Sequence, residues 1–153
     1  MDRHWNLVAV NHAARLVFGY GEIDHSCLVS FFTSAHFRST IRGWNEAARA
    51  IVGRFRADAA RYPDDPEFGR LAADLCAASP AFADVWAELP VGSTGQGIKA
   101  LVHPAVGELV FEYSTLSLSD LPDHRLLLYT PAPETDTDIR LATLLAAPEA
   151  VGL

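Results

Sequence analysis

The sequence contains few of the residues on which several classes of protein depend. Its two cysteines, Cys27 and Cys76, lie far apart and belong to no CxxC motif and no His/Cys cluster. A disulfide framework and a zinc finger are therefore excluded. Both thiols are expected to be unreactive residues of the core, and this cysteine usage fits the reducing cytoplasm.

Basic residues are also scarce, since 12 Lys and Arg residues stand against 19 Asp and Glu residues, for a formal net charge of −7. Binding to phosphates requires a surplus of cations, so we do not expect the chain to bind nucleic acid by itself. No apolar run reaches the roughly 20 residues of a membrane-spanning helix. The N-terminus also lacks the layout of a signal peptide. We predict a cytoplasmic protein that does not bind membranes.

The residues that are present suffice for one domain. The chain has 153 residues, half of them hydrophobic, so residues 1–153 are predicted to form a single domain with a substantial core. Helix signals fill the first two thirds of the sequence and strand signals fill the last third. This order predicts an α+β fold in which helices cover one face of an antiparallel sheet.

Local signals predict the first elements. Residues 5–10 alternate between apolar and small or polar side chains, which is the pattern of a half-buried strand. Asn11 is expected to cap a helix that ends at Gly19, and Ser26 is expected to cap a short one. Apolar residues at steps of three and four predict one long helix over residues 34–61.

Three further helices and three strands follow in the prediction. A capping residue followed by proline, at Asp65 and again at Ser79, is a typical helix start. A glycine-containing loop is expected over residues 90–97, and the apolar period then changes to two. The predicted strands cover residues 98–103, 108–116 and 125–130, and the short connections between them make them antiparallel. The last predicted helix covers residues 137–147.

Four segments stand out by their order and spacing. They are residues 3–14 (RHWNLVAVNHAA), residues 57–66 (ADAARYPDDP), residues 79–82 (SPAF) with Trp86, and residues 103–109 (HPAVGEL). Together they resemble the ligand-binding domain of MmyB-like transcription regulators. The resemblance extends over nearly the whole chain, from about Arg3 to Tyr129.

The resemblance implies both a fold and a function. It implies a PAS-like sheet whose concave face, together with the helices, encloses an apolar pocket for a small, fatty-acid-like ligand. In the family this domain follows an XRE-type helix-turn-helix, which this sequence does not contain, so DNA binding would belong to another part of the regulator. Family members usually carry a strand before Arg3. Without it the sheet would begin with an exposed edge, which we expect a partner chain, as in a homodimer, or a crystal neighbour to cover.

A pocket of this kind needs apolar walls and a polar anchor. Arg49 and Arg56 border the apolar stripe of the long helix and could hold a carboxylate through two hydrogen bonds. Lys99 and His103 are weaker candidates for this role. The predicted ligand-binding residues are Val8, Val10, Phe18, Phe31, Phe32, Trp44, Ala48, Arg49, Phe55, Arg56, Phe82, Trp86, Leu101, His103, Phe111, Tyr113 and Leu128. In the alternative interpretation these apolar side chains only fill the core and the arginines stay at the surface.

Catalytic and metal-binding motifs are missing. The sequence has no GxSxG, HExxH, P-loop or Rossmann motif, so we predict no enzyme, no cofactor and no metal. Haem bound through His103 is a minor alternative. Two other functions stay open: a protein-interaction or dimerisation module with a filled core, and a small enzyme that acts on lipid-like substrates.

Overall fold

The computed structural model describes residues 1–21, 24–88 and 96–147. Within these ranges the chain forms seven α-helices and one antiparallel sheet of three strands in the order β1-β2-β3. The predicted α+β class is confirmed. The elements are α1 (His12–Phe18), α2 (Cys27–Thr33), α3 (Ala35–Thr40), α4 (Trp44–Ala60), α5 (Pro66–Ala78), α6 (Pro80–Ala87), β1 (Gln96–His103), β2 (Gly107–Leu118), β3 (Leu121–Pro131) and α7 (Thr137–Ala146).

The predicted helix caps are confirmed. The side chains of Asn11, Ser26, Asp65 and Ser79 each accept a hydrogen bond from a backbone amide in the first turn of the helix that follows. Gly19 ends α1 in the left-handed conformation, with φ of 69°. These caps satisfy backbone groups that have no partner inside the helix, so they fix where four helices begin.

The prediction of one long helix over residues 34–61 is wrong, because residues 41–43 divide it into α3 and α4. Ile41 forms a β-bridge with Leu101, and the amide of Arg42 donates to the carbonyl of Ala100 at 3.0 Å. Gly43 then takes a left-handed φ of 59°. The backbone of this segment therefore pairs with β1 instead of continuing the helix, and such a tertiary contact overrides local helical preference.

The prediction of a strand over residues 5–10 is also wrong. Asn6 forms only an isolated bridge with Ser26, and Trp5 has a φ of 69°, which interrupts extended backbone. The Trp5 side chain is buried, whereas Val8 is 62% exposed. Because residues 5–10 form no strand, they present no sheet edge, and the edge strands among the described residues are β1 and β3.

The C-terminal third agrees with the prediction. The three strands and α7 lie where they were expected, although the connection predicted between β2 and β3 shrinks to residues 119–120 and β3 begins earlier. Most of the loop predicted over residues 90–97 falls in the range 89–95, which lies outside the described residues. In the sheet, Lys99 pairs with Phe111 and Tyr113 pairs with Tyr129.

The core lies mainly among the helices. Phe55 on α4, Phe82 on α6 and Leu28 on α2 are fully buried, and the Phe31 ring stacks on Trp44 with ring centres 5.1 Å apart. This packing fills the interior between α2, α4, α5 and α6. The space between α1, α4 and the inner face of the sheet is left less densely filled.

Candidate ligand-binding site

A cavity of about 820 Å³ lies between the inner face of the sheet and the helices. Six residues of the segment 7–14, helix α4 and all three strands contribute to its wall, and most of the wall is apolar. This volume falls within the range of about 300–1,000 Å³ that is typical of small-molecule sites. The arrangement can therefore hold a ligand with a sizeable apolar part.

The structure brings part of the predicted set together at this wall. Six of the predicted residues line the cavity, namely Val10, Phe18, Phe31, Phe111, Tyr113 and Leu128. Successive side chains on a strand point to opposite faces. Tyr129, the neighbour of Leu128, is half-buried, whereas Leu128 itself is 46% exposed. Leu128 therefore lies on the outer face of the sheet and meets the cavity only at its edge.

The other predicted apolar residues do not line the cavity. Most of them fill the core instead, as the alternative interpretation described: Phe32, Trp44, Ala48, Phe55, Phe82 and Leu101 are buried among other side chains. Trp86 stacks on Phe82 with ring centres 5.6 Å apart. Val8 faces solvent.

The two predicted anchors on α4 have partners elsewhere. Nε of Arg49 donates to Glu88 Oε2 at 2.9 Å on the exposed surface. The guanidinium of Arg56 lies over the ring of Trp86, 3.6 Å from its centre, and donates to the Trp86 carbonyl. Neither arginine is part of the cavity wall.

A different face of α4 lines the cavity. Its wall residues are Glu46, Ala47, Ala50, Ile51 and Arg54, and the last four follow the i, i+3, i+4, i+7 spacing of a single helix face. The sequence analysis did not predict Arg54 as a site residue. The signal for it is present in the sequence, because Arg54 shares a helix face with three small or apolar residues. The small side chains at positions 47 and 50 leave room beside the helix.

The charged residues of the wall are mainly basic. Among the described residues that line the cavity, Arg42, Arg54, Lys99 and Arg125 are basic and Glu46 is acidic. This excess contrasts with the whole chain, in which acidic residues outnumber basic ones. The cavity therefore has a positive lining inside an acidic protein.

Lys99, the only lysine in the sequence, faces inward from β1. Its ammonium nitrogen lies 4.9 Å from the centre of the Phe18 ring and 5.5 Å from that of Tyr129. In the parts of the chain that the structure describes, no carboxylate lies within ion-pair distance of this nitrogen. Aromatic ring faces attract the charge, but they cannot satisfy the three donors of the ammonium as an oxygen would.

Arg54 and Arg125 carry positive charge at another part of the wall. Both guanidinium groups lie against the indole of Trp5, at 5.7 Å for Arg54 and 5.0 Å for Arg125. Arg54 donates to Thr115 Oγ1 at 2.8 Å. Arg125 is paired with Asp58 at 2.6 Å, and its Nε and Nη2 are buried without a hydrogen-bond partner in the described structure. Of these two arginines, only Arg125 is paired with a described carboxylate, and the charge of Arg54 is not neutralised by one.

Burial keeps the Cys27 thiol and the Tyr20 hydroxyl of the wall in their neutral forms. Burial raises the pKa of the Cys27 thiol to about 11, although the charges of Lys99 and Arg125 act in the opposite direction. Burial also raises the pKa of Tyr20 well above its ordinary value. At neutral pH these groups add no negative charge that would neutralise the basic residues of the wall.

The described residues contain no group of three or more His, Cys, Asp and Glu side chains that could hold a metal ion. His103 has two protein contacts: Nε2 lies 3.1 Å from the carbonyl oxygen of Leu16, and Nδ1 accepts from the amide of Ala105 at 3.2 Å. The ring therefore joins β1 to α1 and its turn, which is a structural use of this histidine.

Comparison with known proteins identifies a family for this chain. The family model described as MmyB-like transcription regulator ligand binding domain matches residues 1–145, whereas no curated protein gives a significant match. None of the helices among the described residues is long and apolar enough to cross a membrane. Because the match covers nearly the whole chain, this protein belongs to the family of MmyB-like transcription regulator ligand-binding domains, which are regulatory ligand-sensing domains.

Proposed function

We propose that this domain binds a fatty-acid-like molecule in its cavity and passes the occupancy of that cavity to the helix-turn-helix domain of a transcription regulator. The observation that carries the proposal is the cavity of about 820 Å³ with its apolar wall and basic residues. Each buried methylene of an alkyl chain contributes about 0.8 kcal/mol, so a long chain can gain useful affinity from such a wall. The basic residues would favour an acidic end.

Transmission requires that the ligand bind one arrangement of the protein better than another. Residues 1–6 are the route that we propose, because they connect the cavity with the part of the chain nearest to the helix-turn-helix in the family. Trp5 lines the cavity, and Asp2 forms a β-bridge with His124. The backbones of Met1 and Arg125 also exchange two hydrogen bonds. A ligand that moves Trp5 would move this segment.

We propose no catalytic activity, since the family consists of regulator domains. We also propose a cytoplasmic location, where a DNA-binding regulator would act.

Homodimerisation is the second candidate function. The outer face of the sheet favours it, because Ile98, Leu116, Leu126 and Leu128 are between 45% and 71% exposed, and a cluster of exposed apolar residues often marks an interface. Sedimentation equilibrium tests this point, and a monomeric mass at micromolar concentration would contradict it.

Native mass spectrometry of the purified protein tests the main proposal. We expect an added mass that organic extraction releases, or, for protein purified without ligand, a rise in melting temperature on addition of long-chain fatty acids. If no molecule is extracted and no fatty acid shifts the melting temperature, the interaction module becomes the better description.

A further inference from the structure

We infer that the ammonium of Lys99 is the anchor for the acid group of the ligand, and that the cavity selects a molecule with a negatively charged head group over its uncharged analogue. This inference rests on the proposed function and adds the ligand's charge class and the position of its head group. Lys99 faces an apolar cavity, and aromatic rings surround its ammonium. No described carboxylate lies beside it.

The basic residues of the wall are not equally available to a ligand. Arg42 lies 3.4 Å from Glu108 and is mostly exposed, and Arg125 lies 2.6 Å from Asp58. Lys99 and Arg54 have no such partner among the described residues. The positive charge that remains for a ligand is therefore concentrated at Lys99 and Arg54.

Lys99 is better placed than Arg54 to take the acid group. Arg54 already donates to Thr115 and lies against the rings of Trp5 and Tyr113. The Lys99 ammonium contacts only ring faces in the described structure. Any of its three N–H groups can therefore donate to a carboxylate. A charged hydrogen bond of this kind is shorter and stronger than a neutral one.

The site also has room for the rest of such a molecule. Next to Lys99 the wall continues through Phe18, Val17 and Phe111, and on the side of α4 through Ile51. An alkyl chain that starts at Lys99 would therefore lie against apolar side chains. Arg54 would add a favourable field without direct contact, which supports an anion over a neutral head group.

Isothermal titration of the full chain with decanoate and with decan-1-ol at neutral pH tests the inference, because the two probes share an alkyl chain and differ in charge. We expect wild type to bind decanoate about tenfold or more tightly than decan-1-ol. Lys99→Met keeps the length of the side chain and removes its charge. It should weaken decanoate binding by a similar factor and leave decan-1-ol binding unchanged, and Lys99→Arg should restore much of the preference. Arg70→Gln, which removes an exposed cation on α5, is the matched control.

The outcomes separate the two levels of the proposal. Equal affinities of wild type for both probes, or equal decanoate affinity in wild type and Lys99→Met, would overturn the Lys99 anchor and leave the proposed function standing. Failure of both probes to bind would overturn both. A second readout needs no variant: since Lys99 is the only lysine, bound decanoate should slow acetylation of its amine, measured by mass spectrometry. An unchanged rate with the cavity saturated would also overturn the anchor.

Discussion

The indole nitrogen of Trp5 donates a hydrogen bond to Asp58 Oδ2 at 2.9 Å. The same carboxylate oxygen lies 2.6 Å from Nη1 of Arg125, and both charged side chains are about 15% exposed. One carboxylate on α4 therefore joins the N-terminal segment to β3, beside the cavity. This contact holds Trp5 in place despite its left-handed backbone.

Replacement of Asp58 should strongly destabilise the domain. Asp58→Ala leaves the mostly buried guanidinium of Arg125 without its acid and the indole of Trp5 without its acceptor, and breaking such a pair costs about 3 kcal/mol or more. The free energy of unfolding from urea denaturation measures this cost. Asp74→Ala, at an exposed position of α5, should change stability by no more than about 0.5 kcal/mol. Similar stabilities of the two variants would show that the Asp58 contacts contribute little.

Asp65 should make stability depend on acidic pH. A hydrogen bond from His4, another from the amide of Glu67 and the charge of Arg3 hold the pKa of the Asp65 carboxyl below its ordinary value of 3.8. A group whose pKa is lower in the folded state adds stability above the unfolded pKa, and this contribution is lost as the pH falls through the folded value. We therefore expect the melting temperature of wild type to decrease below about pH 4.

The variant Asp65→Asn isolates this contribution, because asparagine can still cap α5 but carries no charge. Its melting temperature should be lower than that of wild type at neutral pH and should fall less steeply in acid. Asp64→Asn, one residue away and exposed, should follow the wild-type profile. Parallel acid profiles for Asp65→Asn and wild type would rule out the proposed linkage.

Two glycines should respond in opposite directions to alanine. Gly19 has a φ of 69°, and a Cβ there would lie 2.9 Å from the His36 ring, so Gly19→Ala should cost about 1 kcal/mol or more. Gly69 lies inside α5, where an added methyl group would meet no atom within 4 Å. Gly69→Ala should therefore stabilise the protein by roughly 0.5–1 kcal/mol. Thermal denaturation measures both effects, and a stabilising Gly19→Ala would contradict the assigned backbone conformation.

Much of the fold could be predicted from the sequence because many of its signals are local. Asn11, Ser26, Asp65 and Ser79 begin helices through hydrogen bonds within their own first turns, and those bonds depend on few other residues. The two failures depended on distant partners. The break at residues 41–43 needs β1, which lies more than 50 residues later in the chain.

The candidate site was harder to predict for a related reason. Apolar residues of the core and of a cavity wall have the same spacing, so Phe55 and Phe18 could not be told apart before their neighbours were known. The sequence predicts Arg49 and Arg56 as anchors because they border the apolar stripe, but Glu88 and Trp86 on the α6 side engage them. Lys99 and Arg54 face the cavity because of the register of β1 and the start of α4 after residue 43.

The central claim is that the cavity is the ligand site, and a variant that fills it gives the most direct test. Ala47 lines the cavity from α4, so Ala47→Phe should place a ring in that space with little loss of stability. Ala73→Phe, at an exposed position of α5, is the matched control. In isothermal titration with decanoate we expect Ala47→Phe to bind at least about tenfold more weakly than wild type and Ala73→Phe to bind like wild type. Wild-type affinity in a folded Ala47→Phe variant would contradict the account.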